Sequence, residues 1–326
     1  MALRRPIAVV VLAVVFMAGG GCARLGTTTL GSLMVAAPKR VDPTIAYTNS
    51  QMAMRPTTLI DRRFWVPVCP DGQRLLVSIV EPRPHGTRPL ATVIVLHGAY
   101  GRSESMMASA VGLSRHRFRA VLVDLPGHGF STSAKLTYGV RESQELSLVV
   151  DALEAQRLLE GRLGVYGYSY GAATAVQFAA QDPRVDAVVA LAPFASLRRA
   201  AADLARTRLP WGRVWMTPQR VEEMLQVAAQ KGQFDVDRAD TRLAIRQTTA
   251  PVLLVHGTAD RVIRAENSLE LHLSSGGTSQ LTLIPGATHN DLIRDPNGTV
   301  ASLATDWFER YLLSDSRIDP GAVAAR

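Results

Sequence analysis

Leu163-Gly164-Val165-Tyr166-Gly167-Tyr168-Ser169-Tyr170-Gly171 runs without a break into Ala172-Ala173-Thr174-Ala175-Val176-Gln177-Phe178-Ala179-Ala180. The first residues read as a short strand and the last as an Ala-rich helix, with G-x-S-x-G between them. The pentapeptide alone is a weak signal, because glycine and serine are common; the strand before it and the helix after it give it meaning. Glycines at 167 and 171 permit a sharp turn that a Cβ at either place would crowd. Such a turn lifts the Ser169 hydroxyl clear of a sheet and aims the first helix amides at whatever the serine attacks.

The same alternation extends outward. Continuous apolar runs over 92–96, 120–123, 163–166, 187–191, 252–255 and 280–284 read as strands buried on both faces. Helix-like segments lie between them at 105–115, 142–160, 171–180, 266–273 and 300–312. Upstream, runs at 64–68 and 75–80 flank Pro70-Asp71-Gly72, which predicts an antiparallel hairpin. The order implies an α/β fold with a mostly parallel sheet and helices on both faces. The interval 194–250 breaks the rhythm, with helical pieces at 196–208 and 219–231 and no good strand. It reads as a helical cap inserted over the carboxyl edge of the sheet, where ligands bind in such folds.

A serine hydroxyl is a poor nucleophile at neutral pH and needs a base that is itself oriented by an acid. Val252-Leu253-Leu254-Val255-His256-Gly257-Thr258-Ala259-Asp260 ends a strand in a tight turn carrying Asp260. Ile284-Pro285-Gly286-Ala287-Thr288-His289 follows the next strand and holds a histidine. The chain order Ser169, Asp260, His289 is the order such a fold requires. Asp124 also ends a strand, but Pro126-Gly127-His128-Gly129 after it points to a loop-shaping role. His256 lies too near a strand end to reach Ser169 and reads as a packed turn histidine. Asp291 and Asp295 read as helix caps or solvated groups, His116 and His272 as surface residues on helices, and His85 as part of a Pro-rich turn. The oxyanion of an acyl-transfer intermediate needs donors. They are expected from the N–H of Tyr170 and, in the loop His97-Gly98-Ala99-Tyr100-Gly101, from the N–H of Ala99 ahead of that of Tyr100, with His97 holding that loop.

Five motifs in order, V-I-V-L-H-G, V-L-V-D-L-P-G-H-G-F-S, V-Y-G-Y-S-Y-G, P-V-L-L-V-H-G-T-A-D and G-A-T-H, resemble the α/β-hydrolase superfamily over about residues 63–313. The resemblance implies an eight-stranded, mostly parallel sheet with Ser169 as nucleophile, Asp260 as acid and His289 as base. The chain looks closest to the serine esterase, lipase and aminopeptidase branch. The loop reads H-G-A-Y and departs from the H-G-G-G of hormone-sensitive-lipase-like esterases. The expected activity is hydrolysis of carboxylic esters, small or lipid-like, without metal or organic cofactor. Two other readings stay open. A peptidase or amidase would use the same three residues and grip a substrate amine with Glu222, Glu223, Asp235 or Asp237. A binding module would keep the fold without catalysis. Trp211, Trp215, Met216 and Met224 either line an apolar pocket or simply pack the cap.

Arg4 and Arg5 precede an apolar run from Ile7 to Ala18, then Gly19-Gly20-Gly21-Cys22. This has the form of a secretory signal, and Cys22 resembles a bacterial lipoprotein acylation site, with Gly19 where Leu is usual. The expected organisation is a signal at 1–22, a tether and lead-in at 23–60, a hydrolase domain at 61–315 with its cap at 194–250, and a tail at 316–326. The expected location is outside the cytoplasm, held to a membrane by a lipid on the periplasmic or exterior side, or otherwise secreted. Two cysteines, Cys22 and Cys69, make no disulfide framework. The net charge of +8 comes from scattered arginines with only three lysines, which excludes the concentrated patch of a nucleic-acid binder.

Overall fold

The computed structural model describes residues 22–37, 58–68, 72–132, 135–208 and 216–314. The expected signal sequence up to residue 21, Cys69 with Pro70 and Asp71, Trp211, Trp215 and the tail lie outside the described residues. In chain order the elements are α1 (Cys22–Val35), β1 (Arg62–Pro67), β2 (Arg74–Val80), β3 (Ala91–Leu96), α2 (Met107–Arg115), β4 (Phe118–Val123), α3 (Val140–Ala155), β5 (Leu163–Tyr168) and α4 (Tyr170–Gln181). They continue with β6 (Val185–Leu191), α5 (Leu197–Arg208), α6 (Pro218–Gly232), α7 (Thr241–Gln247), β7 (Val252–Gly257), α8 (Glu266–Ser274), β8 (Ser279–Ile284), α9 (Asp291–Arg294) and α10 (Thr299–Leu312).

The strands form one eight-stranded sheet in the order β1-β2-β4-β3-β5-β6-β7-β8. The β1–β2 hairpin is antiparallel as expected, β2 runs antiparallel to β4, and every pairing from β4 through β8 is parallel. Alternate residues of the central strands serve opposite faces. Ile94 and Leu96 join a core with Leu146 and Val150 of α3 and Val176 and Phe178 of α4. Val93 and Val95 join a second core with Leu113 of α2 and Trp307 and Phe308 of α10. Two buried faces explain why these strands read as unbroken apolar runs.

The register aligns the carboxyl ends that matter. Leu96 pairs with Gly167, Tyr168 with Leu191, Leu191 with Val255, and Gly257 with Ile284. The loops after β3, β5, β7 and β8 therefore leave the sheet along one rim.

Three segments differ from the sequence reading. The lead-in expected over 23–60 begins with a helix, α1, which packs lengthwise on α6. A Cβ added at the buried Gly31 would lie 2.8 Å from Val227 Cβ, so the two backbones meet where only hydrogen fits. Within 194–250, α5 and α6 form a separate small core with Met216, Met224, Leu225 and Val236. In contrast, Ala244 and Ile245 of α7 belong to the main core against α4, so the cap-like part ends near Asp240. Helix α3 runs Val140–Ala155 rather than 142–160: it starts after Gly139 at φ +100° and stops before Arg157 at φ +57°. No helix among the described residues is long and apolar enough to cross a membrane.

Candidate active site

Ser169 sits between β5 and α4 with φ +54° and ψ −112°. A non-glycine residue held there stores backbone strain, which clusters at functional sites. The flanking glycines are required by contact. A Cβ at Gly167 would come 2.6 Å from the Gly171 carbonyl carbon, and one at Gly171 would come 2.6 Å from the His97 oxygen. The turn projects the half-buried Ser169 side chain over the rim, where Oγ lies 3.0 Å from His289 Nε2. His289 Nδ1 lies 2.5 Å from Asp260 Oδ2.

The two loops that carry the acid and the imidazole are tied together. The Ala259 amide donates to the Ala287 carbonyl at 3.0 Å, the Thr258 amide to Ile284 at 3.0 Å, and the Gly286 amide to Thr258 Oγ1 at 2.8 Å. Asp260 Oδ1 accepts the Val262 and Ile263 amides at 2.7 and 3.0 Å. Burial works against the Asp260 charge. Hydrogen bonds from His256 and His289 and the Val262 amide outweigh it and hold the carboxyl well below the usual carboxylate range.

The loop after β3 runs beside the nucleophile: a Cβ at Gly98 would come 3.4 Å from Ser169 Cβ and 2.9 Å from the Tyr168 ring. Ala99 lies exposed on that loop. The Tyr170 amide opens α4, where an N–H has no intrahelical acceptor. His97 is fully buried; its Nε2 accepts the Leu125 amide at 3.0 Å, and its Nδ1 donates to the Gly98 carbonyl at 2.8 Å. Burial lowers the His97 pKa despite the pull of Asp124, which leaves the neutral ring that this bonding pattern requires.

The rivals fall where the sequence reading put them, with one exception. Asp124 accepts the Ser103 and Phe130 amides and shapes its loop. Asp295 accepts the Val300 and Ala301 amides at the start of α10, and Asp291 binds Thr288. His116 and His85 are exposed, whereas His272 is half-buried against Ser279. The acidic groups of the cap-like part are occupied. Glu222 and Asp237 pair with Arg198, Asp235 caps a short 3₁₀ turn, and Glu223 accepts from Thr27. Met216 and Met224 pack among Leu197, Val221 and Leu225. Among the described residues no three His, Cys, Asp or Glu side chains gather as a metal site. The Cys22 side chain lies outside the described residues.

Sequence reasoning missed the supports. Tyr168 Oη donates to the His289 carbonyl at 3.2 Å, and its ring lies 5.0 Å from the imidazole. Tyr170 Oη donates to Glu142. The only hint of either was the aromatic pair flanking Ser169.

With this geometry in view, residues 93–303 match the alpha/beta hydrolase family. The chain belongs to that family. This α/β hydrolase is 28% identical over 229 residues to esterase YjfP of Escherichia coli, spanning 65% of the chain and 88% of the relative. It is 29% identical over 181 residues to the 2,6-dihydropseudooxynicotine hydrolase of Paenarthrobacter nicotinovorans, spanning 55% and 47%. The solved structure of a Pyrococcus furiosus esterase superposes with a TM-score of 0.61 at 20% identity, over 77% of this hydrolase and 91% of that chain. A 2,6-dihydroxy-pseudo-oxynicotine hydrolase superposes with a TM-score of 0.65 at 19% identity, over 95% and 82%. At such identities the superpositions show the shared fold.

Proposed function

We propose that this α/β hydrolase cleaves carboxylic esters through Ser169, His289 and Asp260. The observation that carries the reading is the contact chain from Asp260 Oδ2 through both imidazole nitrogens to Ser169 Oγ. His289 Nε2 takes the Ser169 proton as Oγ attacks the ester carbonyl. The Tyr170 and Ala99 amides hold the oxyanion, and His289 protonates the departing alcohol. Water, deprotonated by the same imidazole, then releases the acid and restores Ser169. Asp260, ionised throughout, keeps Nδ1 protonated and stabilises the imidazolium.

Two observations favour esters over amides with a free amine. Glu222 and Asp237 of the cap-like part are already paired with Arg198 and Asp235 caps a short turn, and one similar protein is named an esterase. A fluorophosphonate should label the protein and miss Ser169→Ala, and short p-nitrophenyl esters should turn over well ahead of amino-acid arylamides. Labelling of Ser169→Ala would remove the nucleophile assignment.

We also propose that the protein is exported and anchored by a lipid on Cys22. The basic, apolar and small-residue order of residues 4–22 supports this, and α1 begins at Cys22 and docks on α6. A fourteen-residue helix spans about 21 Å at 1.5 Å per residue, so the anchor would keep the cap-like helices near the bilayer. Cys22→Ala should release the protein from membranes or change its migration; unchanged retention and migration would end the proposal.

A further inference from the structure

His256 takes no part in the hydrolysis derived above, yet it is fully buried against the catalytic acid. Its Nε2 lies 2.8 Å from the Ile263 carbonyl and 3.4 Å from Asp260 Oδ2, and its Nδ1 lies 2.6 Å from Ser268 Oγ. A carbonyl only accepts, so Nε2 carries the proton, and in the neutral ring Nδ1 accepts from the Ser268 hydroxyl. The Nε2–H thus points to the Ile263 oxygen, with Asp260 Oδ2 3.4 Å from the same nitrogen. That same Oδ2 receives Nδ1–H of His289, while Oδ1 is taken up by the Val262 and Ile263 amides.

We propose that His256 is a positioning residue for the ester hydrolysis: its Nε2–H, in a tautomer fixed by the Ile263 carbonyl and with the ring held by Ser268, keeps Asp260 Oδ2 in line with His289. The proposal rests on the assignment of Ser169, His289 and Asp260 above. Two imidazoles meet one carboxylate oxygen, one from the end of β7 and one from the loop after β8, and the amides hold the other. The carboxyl has no free rotation left to spend before the reaction, which is what preorganisation of an acid–base pair requires. The His256 donor also draws part of the Oδ2 charge away from His289.

Removing that donor has a signed effect. The titratable groups facing Asp260 are His256 from the end of β7, His289 from the loop after β8 and the Tyr168 phenol from the end of β5. Without the Nε2–H, the Oδ2 charge falls wholly on the His289 imidazolium, and the buried carboxyl loses one donor to its ionised form. Both changes favour the protonated catalytic pair, so the acid limb of kcat/KM moves to higher pH. A ring present only for packing predicts no such movement.

The test is the pH profile of p-nitrophenyl acetate hydrolysis by the full chain. It compares wild type with His256→Phe, His256→Gln and Ser268→Ala. His256→Phe should lower kcat by roughly tenfold or more with KM within about twofold, and should raise the acid limb by roughly 0.5 pH unit or more. His256→Gln, which carries an N–H at nearly the reach of Nε2, should return the limb towards wild type and recover most of kcat. Ser268→Ala, which deletes the hydrogen bond at Nδ1 and loosens the ring, should move the limb the same way by less, and it answers the question should His256→Phe not fold. A limb that superimposes on wild type in His256→Phe, or in Ser268→Ala where the first does not fold, would overturn the role. A wild-type chain that takes up no fluorophosphonate would instead overturn the triad beneath it, a result separable from loss of the brace.

Discussion

Tyr170 Oη donates a 2.6 Å hydrogen bond to Glu142 Oε1, joining the residue after the nucleophile to the first turn of α3. Glu142 is fully buried, and its carboxylate also accepts the amides of Thr137 and Gly139 and the Thr137 hydroxyl. The nucleophile turn is therefore stapled to the loop that begins α3. Burial, with the Glu142 charge close by, pushes the Tyr170 phenol far above its ordinary value, so it remains a donor. Tyr170→Phe keeps the ring and deletes this bond. It should lower stability by about 1–3 kcal/mol, read by denaturant unfolding, as expected for loss of a bond to a buried charge. An unchanged unfolding midpoint would show that the bond is idle.

Glu145, one turn further along α3, has both carboxyl oxygens buried without a hydrogen-bond partner. Burial, then the nearby Glu142 charge, push its pKa up to about 8. The unfolded chain releases this proton near 4.5, so between about pH 4.5 and 8 the folded state binds more protons and stability falls as pH rises. At pH 7 the cost is about 3 kcal/mol. Glu145→Gln should be more stable than wild type at pH 8, and the two should converge below about pH 4.5. Thermal melts at both ends of that window decide it, and parallel wild-type and variant curves would contradict it.

His97 fixes the loop that carries the second proposed oxyanion donor through its bonds to Leu125 and Gly98. His97→Ala leaves the Leu125 amide without an acceptor and lets Ala99 drift. Loss of a donor outright costs on the order of 10²–10³ in rate, so a loosened donor should cost roughly tenfold to a hundredfold in kcat. KM for a small neutral ester should hardly change, because the oxyanion exists only along the reaction path. A variant that loses only KM would place His97 in substrate binding instead.

The scaffold and the three central side chains were legible because their signals are local. Each buried strand is an apolar run of its own, and Ser169, Asp260 and His289 each follow one. The supports were not legible because each is a contact between distant segments or across an irregular turn. Glu142 reaches Tyr170 across the α3–α4 packing, and His256 meets Asp260 around a non-helical turn. Helix α1 was the largest omission. Its sequence, C-A-R-L-G-T-T-T-L-G-S-L-M-V, is rich in threonine and glycine and has no clean apolar stripe. Its helical form is settled by docking on α6, and tertiary packing outweighs such weak local preference.

That docking gives a prediction whose sign is diagnostic. Glycine in an open helix costs roughly 1 kcal/mol against alanine, so Gly31→Ala on an undocked α1 would stabilise the helix by up to that amount. In the docked helix a Cβ at Gly31 would press on the Met224 carbonyl and lie 2.8 Å from Val227 Cβ. Neither neighbour is the loose end of a flexible side chain, so the cost of overpacking, about 1–3 kcal/mol, outweighs the gain in propensity. The strain should reach the site's surroundings, because Tyr138 Oη donates to the Met34 carbonyl at 2.8 Å and the Tyr138 ring stands 5.6 Å from that of Tyr170. Gly31→Ala should therefore melt earlier than wild type and expose the chain near residue 37 to limited proteolysis, and Gly31→Leu should do both more strongly. A later melt for Gly31→Ala would mean that α1 does not lie on α6 in solution.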